Sequence, residues 1–244
     1  MNALIHRHLV DDPSWKLHWQ MASGDRVAFS RAISVRKPSL ALEIGTYQGG
    51  SLQVISQYAG HVISVDIDPE VPGRLAGIFP NVEFVTGDSD LVLPSLIEKL
   101  NRERRGVGFV LIDGDHTHDG VRRDVEHVLQ LNVTEPLALL IHDSFNPAVR
   151  SGILDVDWPS YPHVHEFEVD FSGGVFFEKA FDTAPARTMW GGLACALLLP
   201  AKRERALPFS QSQSFAFGLL YAESAHAPRS LWKRIKAKAG DCLQ

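Results

Sequence analysis

The chain has 244 residues, of which 45% are hydrophobic and 22% charged. That is close to the globular average and excludes disorder, collagen and coiled coil, and the length favours one decorated α/β domain over two full ones. With 24 Lys+Arg against 29 Asp+Glu the net charge is −5, so no global basic field argues for nucleic acid.

In chain order, the N-terminus lacks an apolar core of signal-peptide length, and no run anywhere approaches the roughly 18 apolar residues of a membrane span. Residues 1–38 read as a helical lead-in, with Val27, Phe29, Ala32 and Ile33 marking a helix over 25–36 that stops at Pro38. Strands are expected at 40–44, 61–65, 82–86, 108–112 and 137–141, and helices at 51–58, 70–79, 91–104 and 120–131. Such alternation predicts βαβ units, a mostly parallel sheet and helices on both faces. After Ser144, Gly, Pro and aromatic residues become frequent. The β-rich pieces 165–171, 174–177 and 193–199 read as antiparallel strands at the sheet edge, with loops on the substrate side. The tail reads as a short helix over 230–239 whose Lys233, Arg234, Lys236 and Lys238 form a solvated face. Cys195, in an apolar run, and Cys242, in the tail, cannot build a disulfide framework, so a reducing cytoplasm is expected.

Three strand ends carry ligand-binding character. In Leu42-Glu43-Ile44-Gly45-Thr46-Tyr47-Gln48-Gly49-Gly50-Ser51 an apolar strand ends in an acid, and a glycine-punctuated turn opens a helix. Glycines admit a ligand close to the backbone, and the helix start offers free N–H groups. The second glycine of a dinucleotide loop is missing, and Glu43 suits a cationic or hydroxyl-bearing ligand better than pyrophosphate. Asp66 ends the next strand 21 residues after Gly45, placed to take both hydroxyls of a ribose. Asp68-Pro69 reads as a helix cap. Thr86-Gly87-Asp88-Ser89 follows the third strand with polar groups that suit an adenine edge.

Glu-Ile-Gly-Thr-x-x-Gly-Gly-Ser, the Asp66 strand end and Gly-Asp-Ser resemble the class I S-adenosylmethionine-dependent methyltransferases. The likeness continues through Ile112-Asp113-Gly114-Asp115-His116 and Ile141-His142-Asp143-Ser144. It points to the small-molecule O-methyltransferases of the cephalosporin- and macrolide-sugar-modifying type, with catechol methyltransferases more distant, and covers roughly residues 39–145. The resemblance implies a doubly wound, Rossmann-like, mostly parallel seven-stranded sheet with an antiparallel edge strand, a methyltransferase domain over 39–200 and a C-terminal extension over 201–244. It also implies roles. Gly45, Thr46, Gly49 and Ser51, with Glu43, would hold the methionine portion of S-adenosylmethionine; Asp66 would hold the ribose, Asp88 and Ser89 the adenine, and Asp113 would border the cofactor. Asp113, His142 and Asp143 would bind a divalent metal, and His116 would be the catalytic base. His142 departs from the carboxylate usual at its place, and an imidazole suits Mn, Fe, Co or Zn better than Mg.

The residues alone lead to the same rim. Asp113 and His142 end two apolar strands joined by one crossover, so the strands should be neighbours about 4.8 Å apart. Their C-terminal ends face the crevice where open α/β sheets bind ligands, gathering Asp113, Asp115, His116, His118, His142 and Asp143. His118 and Asp119 read as the start of a helix, and His127 as a surface or packing residue. His163 and His165 read as one strand face, too few to form a metal cluster. Trp158, Tyr161, Trp190 and Phe145 are candidates for an acceptor wall or for the core. The expected activity is methyl transfer to a hydroxyl of a small molecule such as a sugar, natural product or phenol; the oligomeric state, homo-oligomers included, stays open. A nicotinamide-dependent oxidoreductase needs the full Gly-x-Gly-x-x-Gly, against which Thr46-Tyr47-Gln48 argues. A non-catalytic module should have lost the strand-end acids, yet Glu43, Asp66, Asp113 and Asp143 are all present.

Overall fold

A computed structural model describes residues 10–180 and 184–228. The tail helix expected over 230–239, with its four cations, and Cys242 lie outside the described residues. The elements run α1 (Ser23–Arg36), β1 (Leu40–Ile44), α2 (Leu52–Tyr58), β2 (His61–Asp66), α3 (Val71–Leu75), β3 (Val82–Thr86), α4 (Ser89–Arg102), β4 (Phe109–Ile112), α5 (His118–Val128), β5 (Leu137–His142) and α6 (Pro147–Leu154). They continue with β6 (Val164–Phe177), β7 (Thr188–Leu198), β8 (Phe209–Ser210) and α7 (Ser214–Glu223).

One sheet of order β3-β2-β1-β4-β5-β7-β6-β8 organises the described residues. β1 to β5 are parallel, β7 is antiparallel to both β5 and β6, and β8 adds two residues parallel to β6. The eighth strand exceeds the seven expected. β6 is also a single strand of 14 residues where two short pieces were read, and register shifts between Val164 and Glu166 and between Glu168 and Ser172 carry it through. Such irregularities interrupt the alternation that marks a strand in sequence.

Side-chain alternation splits the core across the sheet. Leu42, Ile44, Val110, Ile112 and Leu139 pack under α4, α5 and α6. Ala41, Phe109, Leu111 and Leu140 face Phe29 and Ile33 of α1 and Leu52 and Ile55 of α2. Both faces of β1, β4 and β5 are therefore buried, which is why these strands read as continuous apolar runs. β1 lies between β2 and β4, so successive connections leave it in opposite directions and open a crevice at the strand C-termini.

Three helices depart from the sequence reading, α7 because no helix was expected over Ser214–Glu223. α3 stops at Leu75 instead of reaching residue 79 because Gly73 and Gly77 weaken helix propagation. α6 was not expected, although Asn146 accepts from Ala148 N–H at 2.9 Å and Pro147 fills the first helical position. That cap and proline were a usable signal.

Candidate active site

The loop after β1 is built around a glycine that nothing else could replace. Gly45 has φ +91°, and a Cβ there would stand 2.1 Å from the carbonyl oxygen of Asp113. The chain can therefore turn tightly over the end of β4 only without a side chain. Asp66 then fastens the loop: its Oδ2 accepts from Thr46 N–H and Tyr47 N–H, each at 2.8 Å, and its Oδ1 from Asp68 N–H at 2.8 Å. The sequence reading gave Asp66 to a ribose. In the structure its carboxylate is first the anchor of the glycine loop, because it ends the strand beside that loop.

Glu43 sits behind the loop rather than in the crevice. It is fully buried and accepts from Ser51 Oγ at 2.6 Å and Ser64 Oγ at 2.7 Å. Burial pushes its carboxyl up to about 7, against the two serine hydrogen bonds, with the charges of Asp113 and Asp66 adding to the rise. Gly49 likewise packs against Leu17 and Leu75. Glu43 and Gly49, both expected to touch a cofactor, thus support the loop from below. Asp88 accepts from Asp90 N–H at 3.0 Å as the cap of α4.

The rim expected from β4 and β5 forms. His116 Nε2 stands 3.0 Å from Asp143 Oδ2 and 3.4 Å from Asp113 Oδ1. One ligand atom from each of Asp113, His116 and Asp143 falls within 4.8 Å of the others, so two carboxylates and one imidazole offer a mixed O/N set of the kind first-row divalent ions accept. His142, expected as a ligand, stands beside this set, its Nδ1 2.9 Å from Asp113 Oδ1 and 3.7 Å from Asp143 Oδ2. Its Nε2 turns toward the buried Asp25 at 3.5 Å. β5 ends in His142, Asp143 follows at φ +57°, and both residues line the cavity. Gly191 N–H fixes the Asp143 carboxylate at 2.5 Å.

The charges are strongly coupled. Burial opposes the imidazolium of His116, yet the hydrogen bonds and fields of Asp113 and Asp143 outweigh it and push the ring up to about 10. His142 is raised well above the usual imidazole range for the same reason, against burial, by Asp113 and Asp143 and by its contact with Asp25. Asp113 is in turn held down to about 2, against burial, by His142 and His116. The rim at rest is an ion-paired cluster in which His116 carries its proton.

These strand ends open into a cavity of about 2260 Å³ that Gly45, Asp66, Ser89, Asp113, His116 and Asp143 help to line. Trp190 lines it too, its ring edge-on to His116 with centroids 5.8 Å apart. The other proposed wall aromatics belong to packing. Trp158 stacks on Phe167 at 3.9 Å, Phe145 meets Phe217 edge-on, and Tyr161 packs against the core. The far wall comes from residues the sequence reading left unassigned, among them Trp15, Trp19 and Tyr47. His163 and His165 bond to the carbonyls of Leu199 and Ala201, His118 pairs with Asp119 at the start of α5, and His127 pairs with Asp90.

A family model described as a methyltransferase domain matches residues 42–144, the span from the end of β1 to the turn after β5. No curated protein matches the chain. Among solved structures, a cofactor-bound protein from MTB is similar with a TM-score of 0.54 at 18% identity, over 82% of this chain and 96% of its own. An O-methyltransferase from Bacillus cereus in complex with SAH gives 0.54 at 15% identity, over 80% and 95%. TomG from Streptomyces achromogenes, an O-methyltransferase involved in tomaymycin synthesis and solved with SAM, gives 0.50 at 17% identity, over 80% and 94%. At these identities the likeness to the solved structures is one of fold.

Proposed function

We propose that this chain, whose residues 42–144 match a family model described as a methyltransferase domain, is a class I S-adenosylmethionine-dependent methyltransferase that moves the methyl group to a hydroxyl of a small molecule. The observation that carries the reading is the convergence of the Gly45 loop and the Asp113–His116–Asp143 rim on one cavity. Its volume, about 2260 Å³, exceeds the roughly 300–1,000 Å³ of a single small-molecule site, which leaves room for an acceptor beside the donor. The solved O-methyltransferases of the same fold support the choice of oxygen as the acceptor atom.

In this reading the glycine loop and the start of α2 hold the methionine end, and Asp66 keeps the loop in register while bordering the ribose. Asp88 and Ser89, at the start of α4, border the adenine. Transfer is an in-line displacement: the acceptor oxygen bonds to the methyl carbon as the carbon–sulfur bond breaks and its electrons return to sulfur. The protein must align the two reactants and remove the hydroxyl proton. His116 Nε2 is the atom assigned to that proton, and Trp190 holds the ring from the side. Asp113 and Asp143 would hold a divalent cation, which would supply Lewis acidity to the hydroxyl. His116 would then stay outside the cation's ligands, because a ring nitrogen bound to a cation could not take the proton.

An acceptor panel of sugars, phenols and polyketide alcohols with tritiated methyl donor tests the reading. Label transferred to a hydroxyl is expected; transfer only to nitrogen or carbon acceptors would refute the oxygen assignment.

A further inference from the structure

Asp25 occupies the first turn of α1, a helix outside the methyltransferase match, yet it is 0% exposed. Ser172 Oγ–H donates to its Oδ1 at 2.6 Å and Gly192 N–H to its Oδ2 at 3.1 Å, and the same Oδ2 faces His142 Nε2 at 3.5 Å. Neither lysine nor arginine is among these partners. A buried carboxylate needs partners, and besides these two donors the ring of His142 is the group that faces this one.

The backbone is shaped around it. Gly191 and Gly192 are both left-handed, with φ +72° and +79°. Their successive N–H groups serve two carboxylates, Gly191 reaching Asp143 and Gly192 reaching Asp25. A Cβ on Gly191 would stand 2.9 Å from Asp25 Oδ2. Through the His142 ring the contact continues to Asp113 Oδ1 at 2.9 Å, and from that oxygen to His116 Nε2 at 3.4 Å.

We propose that Asp25 is a positioning residue for the transfer step, fixing the His142 ring from the lead-in helix and, through that ring, the Asp113 carboxylate that faces His116. An imidazole turns over a broad torsion unless both of its nitrogens are held. Asp113 hydrogen-bonds one at 2.9 Å, and Asp25 Oδ2 faces the other at 3.5 Å. The proposal rests on the methyl-transfer reading for its kinetic consequence, though not for its geometric one.

The test compares the full-length wild type with Asp25→Asn, which keeps the shape but only one acceptor oxygen, so that Ser172 Oγ–H or Gly192 N–H loses its partner. In crystals of Asp25→Asn the His142 ring is expected to rotate so that the Nδ1 contact to Asp113 is lost. In the chain labelled with ¹⁵N-histidine, the ring resonances of His142, assigned through His142→Gln, should shift more than those of His118. With an acceptor found in the panel, kcat should fall by about 10–100-fold, the range for removing a supporting partner of a functional histidine, with KM for the methyl donor within about two-fold. In a His142→Gln background the same substitution should add almost nothing, because Asp25 acts through that ring. Ser172→Ala loosens Asp25 more gently and should move the same readouts in the same direction. A ring that stays in place in both variants, or a loss that is fully additive with His142→Gln, would overturn the proposal. If the wild type gives no binding heat with S-adenosylhomocysteine, the methyl-transfer reading falls instead, while the ring geometry still decides the role of Asp25.

Discussion

Glu43 shows how a strand-end acid can serve a site without touching its ligand. Its carboxyl sits near 7 in the folded protein against an ordinary value of 4.5, so the folded state binds the proton more tightly than the unfolded chain. The contribution to stability is fully present below about 4.5 and is lost as pH rises to about 7, a change on the order of 3 kcal/mol by linkage. Glu43→Gln should remove that fall, so denaturant midpoints of variant and wild type should diverge in the variant's favour above pH 7. Parallel curves from pH 4.5 to 8 would mean that the carboxyl is not perturbed. Asp66 carries the opposite lesson, since three backbone N–H groups depend on it. Asp66→Ala should weaken S-adenosylhomocysteine by about 1–3 kcal/mol in calorimetry, the range for hydrogen bonds to a charged group; unchanged affinity would remove Asp66 from cofactor binding. At His116 the expected signature lies in a pH–rate profile. In chelated enzyme the rise should sit near 10, where Asp113 and Asp143 hold the ring protonated, and with a divalent ion restored it should move toward the ordinary imidazole range. An identical profile in both conditions would separate the metal from the base.

At the level of elements, the site depends on turns whose backbone excludes a side chain. The loop between β1 and α2 clears the end of β4 only because Gly45 lacks a Cβ. Gly45→Ala combines a left-handed φ of +91° with a 2.1 Å approach to the Asp113 carbonyl, and either defect alone costs about 1–3 kcal/mol. Thermal unfolding should therefore shift down by several degrees, and cofactor binding should be lost even in the fraction that stays folded. Wild-type stability together with wild-type affinity would show that the loop does not pass over β4 as described. Inside β7, the left-handed Gly191 and Gly192 aim consecutive N–H groups at the carboxylates of Asp143, just after β5, and Asp25 of α1.

Across the whole molecule, the parallel half of the sheet was legible because β1, β4 and β5 are buried on both faces and read as apolar runs between amphipathic helices. The rim was legible for the same reason: a parallel sheet brings its strand C-termini to one edge, so Asp113, His116 and Asp143 had to meet. Side-chain direction was not legible. His142 and Asp143 are adjacent and both reach the rim, Asp143 through a left-handed backbone that no pattern in the sequence announces. Asp25 was invisible for another reason. Its partners Ser172 and Gly192 lie 147 and 167 residues away on a hairpin whose register shifts hid it in the sequence. The aromatic residues stayed open between a pocket wall and the core in the sequence, and Trp158 and Phe145 fill the core. The central claim is that the cavity at the ends of β1 and β4 takes S-adenosylmethionine, and titration calorimetry of the full chain with S-adenosylhomocysteine, with NAD as the comparison, tests it most directly. Saturable heat at one equivalent with S-adenosylhomocysteine and none with NAD is the result this account expects; heat with NAD alone, or with neither, would contradict it.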